Sequence, residues 1–179
     1  HMELTTLLNI DRLDIELLGV LSRNARIGIV ELATTLGVAR NTVQARLNKM
    51  ISDHVLSGFR PDLDLAEVGI AVEAFIALEL QQGQLSSVVD SLTAMPEVLE
   101  IHATTGREDL LVRVATATQA DLQSLIQGVV STRGVSHSST TLALTTPLRY
   151  RIQPLLEHLG QKQGWGLSLI HISEPTRPR

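Results

Sequence analysis

Three short runs of apolar residues at helical spacing fill the first fifty residues, and they constrain the fold more than any other feature. The first run predicts an amphipathic helix over residues 11–22. The second predicts a helix that ends at Gly37, because glycine accepts the left-handed backbone that closes a helix. The third predicts a helix that buries Val43, Leu47 and Met50. Two short helices joined by a tight turn form a helix-turn-helix motif.

A short strand is predicted directly after the third helix. The run from Val55 to Phe59 is rich in apolar residues, and Pro61 marks a turn behind it. We expect this strand to form a β wing against the three helices. Residues 9–60 are therefore predicted to be a winged helix-turn-helix domain, and residues 61–70 a linker.

Residues 71–158 show a different pattern, in which strand-like and helical runs alternate. Strands are predicted at 72–80, 98–105, 110–114 and 135–144, with a helix after the first and another after the third. The order strand-helix-strand-strand-helix-strand is that of a ferredoxin-like domain, so the whole chain is predicted to be α+β. Both helices of such a domain cover one sheet face. The other face needs a partner, and we expect a homodimer.

Charge is divided unevenly between these two regions. From Val20 to Arg60, six basic residues stand against two acidic ones, whereas from Pro61 to Gly160 five basic residues stand against twelve acidic ones. A basic head on an acidic body is the distribution expected when one domain meets phosphate and the other does not. Double-stranded DNA is therefore the predicted partner of the head.

The third helix presents a polar face that suits a DNA groove. Asparagine and glutamine make paired contacts to adenine, while arginine and lysine reach guanine or phosphate. An ordinary solvated helix surface is the alternative, and Arg26 could equally pair with Glu31 or with an acidic residue of the first helix. The predicted base-contacting residues are Asn41, Gln44, Ala45 and Asn48, and the predicted backbone-contacting residues are Arg26, Arg40, Arg46 and Lys49.

Several motifs in this order resemble the Lrp/AsnC, or feast/famine, family of transcriptional regulators from residue 9 to about residue 158. The resemblance implies sequence-specific DNA binding, a RAM-type ligand domain that responds to an amino acid, and dimers that build octamers. Ala39 departs from the serine that many relatives carry before the recognition helix. The matching segments are 10–14 (IDRLD), 24–26 (NAR), 31–33 (ELA), 37–38 (GV), 42–47 (TVQARL), 55–59 (VLSGF) and 105–114 (TGREDLLVRV).

The segment 105–109 resembles the family's glycine-to-aspartate loop, and it is the predicted effector site. Its acids could hold an α-amino group, and Arg107 could hold a carboxylate. A plain hairpin turn stabilised by Asp109 is the alternative reading. Arg107 and Glu108 replace the small or aromatic residues frequent here, which indicates either a ligand other than a neutral amino acid or no ligand at all. The predicted effector-binding residues are Thr104, Thr105, Gly106, Arg107, Glu108 and Asp109.

Other function classes find little support in the sequence. The chain has no cysteine, its six histidines show no metal-ligand spacing, and no phosphate-cradling glycine loop or nucleophile elbow is present. We therefore expect no enzyme activity, no metal and no cofactor. No segment is long and apolar enough to span a bilayer, which predicts a cytoplasmic protein. The alternative function is a metabolite-binding oligomer whose head no longer binds DNA.

Both ends of the chain look foreign to this fold. His1 and Met2 resemble the remnant of a cleaved tag. Residues 167–179 read LSLIHISEPTRPR and resemble the translation of a sequencing-library adapter. We therefore expect residues 159–179 to be a non-native tail without an evolved function.

Overall fold

The structure is a computed structural model that describes residues 8–162. The chain divides into two compact units. The first, here called the head unit, comprises the chain up to Arg60 and the chain from Tyr150 onward; the second, the sheet unit, comprises Pro61–Arg149. The elements in chain order are α1 (Arg12–Arg23), α2 (Ile29–Leu36), α3 (Arg40–Ser52), α4 (Leu65–Val68), β1 (Val72–Leu80), α5 (Leu85–Thr93), β2 (Val98–Ala103), β3 (Leu110–Thr116), α6 (Gln119–Val130), β4 (Val135–Ala143) and α7 (Gln153–Lys162).

The head unit is built on the three predicted helices. Asp11 caps α1 in a capping box, in which its side chain accepts from the Asp14 amide and the Asp14 side chain accepts from the Asp11 amide. Gly37 ends α2 at φ 67°, as expected of a left-handed cap. Only residues 37–39 then separate α2 from α3. The buried core of these helices contains Leu17, Val20, Leu21, Leu32, Ala33, Val43, Leu47 and Met50.

The wing strand predicted at Val55–Phe59 does not form. His54 adopts a left-handed conformation at φ 59° and turns the chain back toward α3. The amides of Val55 and Leu56 then both donate to the Met50 carbonyl, at 2.9 and 3.0 Å. These amides cannot pair with a neighbouring strand, because they already close the last turn of α3. Among the described residues, the head unit therefore contains helices alone.

The sheet unit has the predicted ferredoxin-like topology, with antiparallel strands in the order β2-β3-β1-β4. Observed strand β1 coincides with the prediction. By contrast, β2 and β4 end before the predicted residues 105 and 144, and β3 continues beyond the predicted residue 114. The core forms between the sheet and α5 and α6. It contains Ala74, Ile76, Leu78, Val88, Leu92, Leu110, Val112, Val114, Leu122, Leu125 and Val129.

The second face of the sheet, here called the open face, carries the residues that alternate with the buried ones. Phe75 of β1 lies opposite Arg113 of β3, and Ala77 lies opposite Leu111. The Phe75 and Leu111 side chains are each 37% exposed. The Arg113 Nη2 donates to the Glu73 Oε1 at 2.8 Å beside them. This face combines exposed apolar side chains with an ion pair, and helices α5 and α6 do not cover it.

Two helices, α4 and α7, were not predicted from the sequence. The short helix α4 lies within the predicted linker 61–70. Helix α7 packs against α1, and it groups with the head unit. The sheet unit ends at Arg149, whereas the predicted sheet domain extends to residue 158. None of the helices in the described part of the chain could cross a membrane.

Helix α7 also bears on the predicted tail. It includes residues 159–162, and Gly160 is buried. The predicted boundary at residue 158 falls inside α7, so residues 159–162 of the predicted tail belong to a helix of the head unit. The remainder of that tail, residues 163–179, lies outside the described residues, as do His1 and Met2.

Candidate nucleic-acid interface and effector loop

Helix α3 presents one face to the core and the opposite face to solvent. Its buried positions are Val43, Leu47 and Met50, at successive spacings of four and three. A helix with this pattern turns the residues between these positions outward. The predicted interface residues that are exposed on or beside α3 are Arg40, Asn41, Gln44, Ala45, Asn48 and Lys49.

Two of the amide side chains on this face contact each other. Gln44 Nε2 donates to Asn48 Oδ1 at 3.0 Å, one helical turn apart. This bond leaves the Gln44 carbonyl oxygen and the Asn48 amino group available, along with the second proton of the Gln44 amino group. The structure therefore brings together an outward-facing donor and acceptor, the combination that reads an adenine edge.

Arg46 occupies a different position from the one predicted. Its guanidinium donates to the carboxylates of Asp11 and Asp14 on α1, with a separation of 3.4 Å to Asp14. The two aspartates that bind Arg46 are also the two residues of the α1 capping box. The cluster ties the flank of α3 to the start of α1. A phosphate would have to compete with two carboxylates for this side chain.

The pKa values in this cluster shift in the directions its charges dictate. Partial burial raises the pKa of the Asp11 carboxyl, but hydrogen bonds from Arg46 and from the Asp14 amide outweigh it. The resulting pKa lies below its ordinary value. The hydrogen bond to Asp11 raises the pKa of Arg46. Both groups are therefore held in their charged forms.

The remaining basic candidates are more accessible. Lys49 Nζ lies 2.6 Å from Asp53 Oδ2 in a pair exposed on both sides, and this hydrogen bond raises the pKa of Lys49. Arg26 and Arg40 are exposed and form no ion pair with any described residue, so the alternative pairing of Arg26 with Glu31 is not seen. Arg26 and Arg40 are therefore accessible to a phosphate, whereas Lys49 would first have to leave Asp53.

The N-terminus of α3 also faces solvent without a side-chain cap. Ala39 occupies the cap position and supplies no hydrogen bond, and the first turn holds no acidic residue. Uncapped amides at a helix N-terminus attract anions, because their N–H groups and the helix dipole both carry positive charge outward. Arg40 adds a full positive charge at the same end.

The predicted effector residues form the turn between β2 and β3. Gly106 adopts φ 104°, which glycine alone accepts readily. Thr104 donates through Oγ1 to the Glu108 carbonyl at 2.9 Å. Asp109 Oδ2 accepts from the Leu80 amide at 2.7 Å, so this carboxylate ties the turn to the end of β1. All six residues from Thr104 to Asp109 are exposed.

Arg107 in this turn already has a partner. Its Nε donates to Glu79 Oε1 at 2.9 Å. A ligand carboxylate could take the place of Glu79, since the Arg107 side chain is 79% exposed. Asp109 thus has the stabilising role expected of a plain hairpin turn. Thr105 and Glu108 are exposed beside the Arg107–Glu79 pair.

A cleft of about 580 Å³ lies at the other end of the β2–β3 hairpin, and sequence reasoning missed it. Its wall is mainly apolar, with Met95, Leu99 and Leu125 among the lining residues. None of the predicted effector residues lines this cleft. Because its lining comes from four separate segments of the sheet unit, no local sequence signal marks it.

A metal site finds no support in the described part of the chain. No group of three histidine, aspartate or glutamate side chains is close enough there to hold a metal ion. His102, on β2, contacts its neighbour Glu100 at 2.6 Å and faces solvent. The exposed histidine is thus part of a surface pair.

Comparison with known proteins decides the family. The AsnC-type helix-turn-helix model matches residues 10–51, and the Lrp/AsnC ligand binding domain model matches residues 73–152. The regulatory protein AsnC of Haemophilus influenzae is 30% identical over 148 residues, covering 82% of this chain and 99% of its own. This chain belongs to the Lrp/AsnC family. It is accordingly a member of a family of helix-turn-helix transcriptional regulators.

Solved structures of Lrp/AsnC proteins agree with this assignment. The structure of AsnC from E. coli has a TM-score of 0.76 and 30% identity, covering 81% of this chain and 99% of that one. A transcriptional regulator from Neisseria meningitidis, solved as a complex with L-Met, has a TM-score of 0.75 at 22% identity, with coverages of 82% and 99%. The predicted family, fold class and regulatory function are thereby confirmed.

Proposed function

We propose that this Lrp/AsnC protein regulates transcription by placing the exposed face of α3 in the major groove of DNA. The observation that carries the proposal is the outward row formed by Asn41, Gln44 and Asn48, opposite the buried face of the helix. These amides would contact base edges, with Ala45 giving room for close approach or packing on a thymine methyl group. The match of residues 10–51 to the family helix-turn-helix supports the same surface.

Phosphate contacts in this proposal come from the accessible cations. Arg40 and the free amides at the start of α3 would meet one phosphate, and Arg26 another. Lys49 would exchange Asp53 for phosphate, which is feasible because both side chains are exposed. Arg46 would reach a phosphate only by leaving the Asp11 and Asp14 carboxylates. Phosphate contacts fix the register of α3, and base contacts give its specificity.

An amino acid or a related small metabolite is the proposed effector, with the turn 104–109 as its site. The match to the family ligand-binding domain and the L-Met complex of the Neisseria regulator support this choice. Here the Arg107 guanidinium would bind the ligand carboxylate after leaving Glu79, and Glu108 would face its amino group. No catalytic role is proposed, since the relatives are named as transcriptional regulators.

A homodimer formed through the open face is the proposed assembly, with four dimers as the larger form. The exposed apolar side chains of Phe75 and Leu111 support it. A two-fold dimer would set two α3 helices about 34 Å apart on successive major grooves. Since its target is DNA and its relatives include bacterial regulators, we expect the protein to act in the cytoplasm.

The decisive test compares two matched pairs of exposed amides at i and i+4. In the Gln44→Ala/Asn48→Ala variant, affinity for the DNA upstream of the protein's own gene is expected to fall about ten-fold or more. Affinity for random-sequence duplex and its salt dependence should stay unchanged, because no phosphate contact is lost. The Gln123→Ala/Gln127→Ala variant on α6 is the control. Equal affinity of both variants for the upstream DNA would refute this recognition surface.

The alternative, a metabolite-binding oligomer with a head that does not bind DNA, makes a different prediction. A protein of this kind would bind no duplex in a salt-dependent manner, but it would still bind amino acids. Isothermal titration of the protein with a set of amino acids, beside the DNA titration, separates the two functions.

A further inference from the structure

Helix α1 buries two faces rather than one. Leu17, Val20 and Leu21 face the core shared with α2 and α3. Ile15 is also fully buried, yet it is not part of that core cluster, and Gly19 is buried one turn further on. Residues four apart lie on the same side of a helix. A second element must therefore cover the side that carries Ile15 and Gly19.

The covering element is α7, and its contact with α1 is specific. Gln153 Nε2 donates to the Ile15 carbonyl at 3.0 Å and to Glu157 Oε1 at 3.2 Å. A Cβ at Gly19 would lie 2.8 Å from that same Nε2 atom. The amide of Gln153 thus occupies the space that glycine leaves open. A glycine inside a helix is unfavourable in itself, so its place here matches this close approach.

Helix α7 lies outside both family matches, which end at residues 51 and 152. It is joined to β4, the edge strand of the sheet unit, by residues 144–152. The chain therefore leaves the head unit after Arg60 and returns to it at Tyr150. The head unit is built from two separate stretches of sequence, and α7 is the part that the family's helix-turn-helix does not include.

The face of α1 that α7 covers is linked to the recognition helix. Asp11 and Asp14, at the start of α1, hold Arg46 of α3. A change in the position of α1 would therefore move α3 as well. We propose that Gln153 is a positioning residue, through which docked α7 holds α1 and, by way of Arg46, sets α3 for DNA. The DNA part of this inference rests on the proposed function.

An isosteric change tests the role of Gln153. Gln153→Glu keeps the size of the side chain but places a carboxylate oxygen against the Ile15 carbonyl and the Glu157 carboxylate. Gln161→Glu is the matched control, since it makes the same charge change at an exposed position on the same helix. Two readouts apply to each variant: hydrogen exchange of the backbone amides, and affinity for a random-sequence duplex across a salt series.

The proposal predicts faster amide exchange in α1 and α3 of Gln153→Glu, together with a DNA affinity about five-fold lower and an unchanged salt slope. Gln161→Glu should resemble the unsubstituted protein in both readouts. Faster exchange confined to α7, or equal loss of affinity in both variants, would overturn the proposal. If the unsubstituted protein bound no duplex, the proposed function would fail, while the exchange of α1 and α3 would still decide the role of Gln153.

Gly19→Ala separates positioning from simple stabilisation. Alanine favours helix, so α1 itself should become more stable. Its Cβ would nevertheless displace the Gln153 amide, and we expect DNA affinity to fall as in Gln153→Glu. A purely structural role of Gln153 predicts a change in stability with unchanged DNA affinity, and that result would overturn the positioning role.

Discussion

At the scale of single residues, the cluster of Asp11, Asp14 and Arg46 shows how tertiary contacts assign roles that sequence cannot. Arg46 lies among the polar residues of α3, and its type and position suggested a phosphate contact. Its partners are 35 and 32 residues away, and no local pattern marks a pairing over that distance. The structure makes Arg46 a link between two helices.

The same cluster predicts a pH dependence of stability. The pKa of Asp11 is lowered in the folded protein, so its ionised form favours folding. This contribution is fully present above the ordinary pKa of aspartate and is lost as the pH falls through the lower, folded-state value. In the Asp11→Asn variant, the asparagine side chain still caps the helix but cannot ionise. We expect the difference in unfolding free energy between the wild type and Asp11→Asn to shrink as pH falls from 6 to 2.

Urea unfolding at each pH measures that difference. The Asp62→Asn variant is the control, because Asp62 is highly exposed in its pair with Arg149. A difference that stayed constant down to pH 2 would show that the charge of Asp11 does not stabilise the fold.

Two glycines with the same backbone angle predict different costs of substitution. Gly134 has φ 100°, and a Cβ there would lie 2.7 Å from the Gln84 Cβ. Gly106 has φ 104°, but no atom lies within 4 Å of its Cβ position. Gly134→Ala should lower the unfolding free energy by about 2–5 kcal/mol, from strain and overpacking together. Gly106→Ala should lose about 1–2 kcal/mol from strain alone. Chemical denaturation measures both, and equal losses would contradict the packing at Gly134.

At the scale of elements, helix α3 begins without a side-chain cap. Ala39 offers no side-chain acceptor, whereas Thr118 caps α6 through its hydroxyl. Ala39→Ser is expected to raise the unfolding free energy by about 1 kcal/mol, and Thr118→Ala to lower it by about as much. Thermal unfolding followed by circular dichroism measures both changes. No gain from Ala39→Ser would mean that the α3 amides already have partners.

Element prediction succeeded where one physical signal decides the structure. The run of apolar, strand-compatible residues from Val72 to Leu80 gave β1 its observed limits. Gly37 marked the end of α2, because glycine accepts the left-handed backbone that closes a helix. The regular spacing of Val43, Leu47 and Met50 likewise identified the exposed face of α3, on which the candidate interface depends.

Prediction failed where a residue's partner lies elsewhere in the chain. The sequence of Val55–Phe59 suits a strand, but its first amides close α3 instead. The place of helix α7 in the head unit depends on contacts with Gly19 and Ile15, which lie far away in sequence. The predicted effector segment 104–109 was placed correctly as a turn, but the Leu80 amide that donates to Asp109 lies 29 residues away in sequence.

At the scale of the whole molecule, the open face predicts how copies associate. Phe75→Glu with Leu111→Glu would put two charges into the proposed dimer contact, where unpaired charge is costly. We expect this variant to sediment as a monomer at concentrations where the unsubstituted protein is dimeric. Val130→Glu, an exposed apolar position on α6, is the control and should leave the dimer intact. Monomers in the control as well, or dimers in both, would exclude the open face as the interface.

The proposed function requires the basic head unit to bind DNA through phosphate contacts as well as base contacts. The most direct measurement is the affinity for a fluorescent duplex carrying the DNA upstream of the protein's own gene, recorded over a range of salt concentrations. Log affinity is expected to fall linearly with log salt, with a slope of about −5 if Arg26, Arg40 and Lys49 of both subunits of the dimer meet phosphate. A flat line, or no binding at any salt concentration, would contradict it.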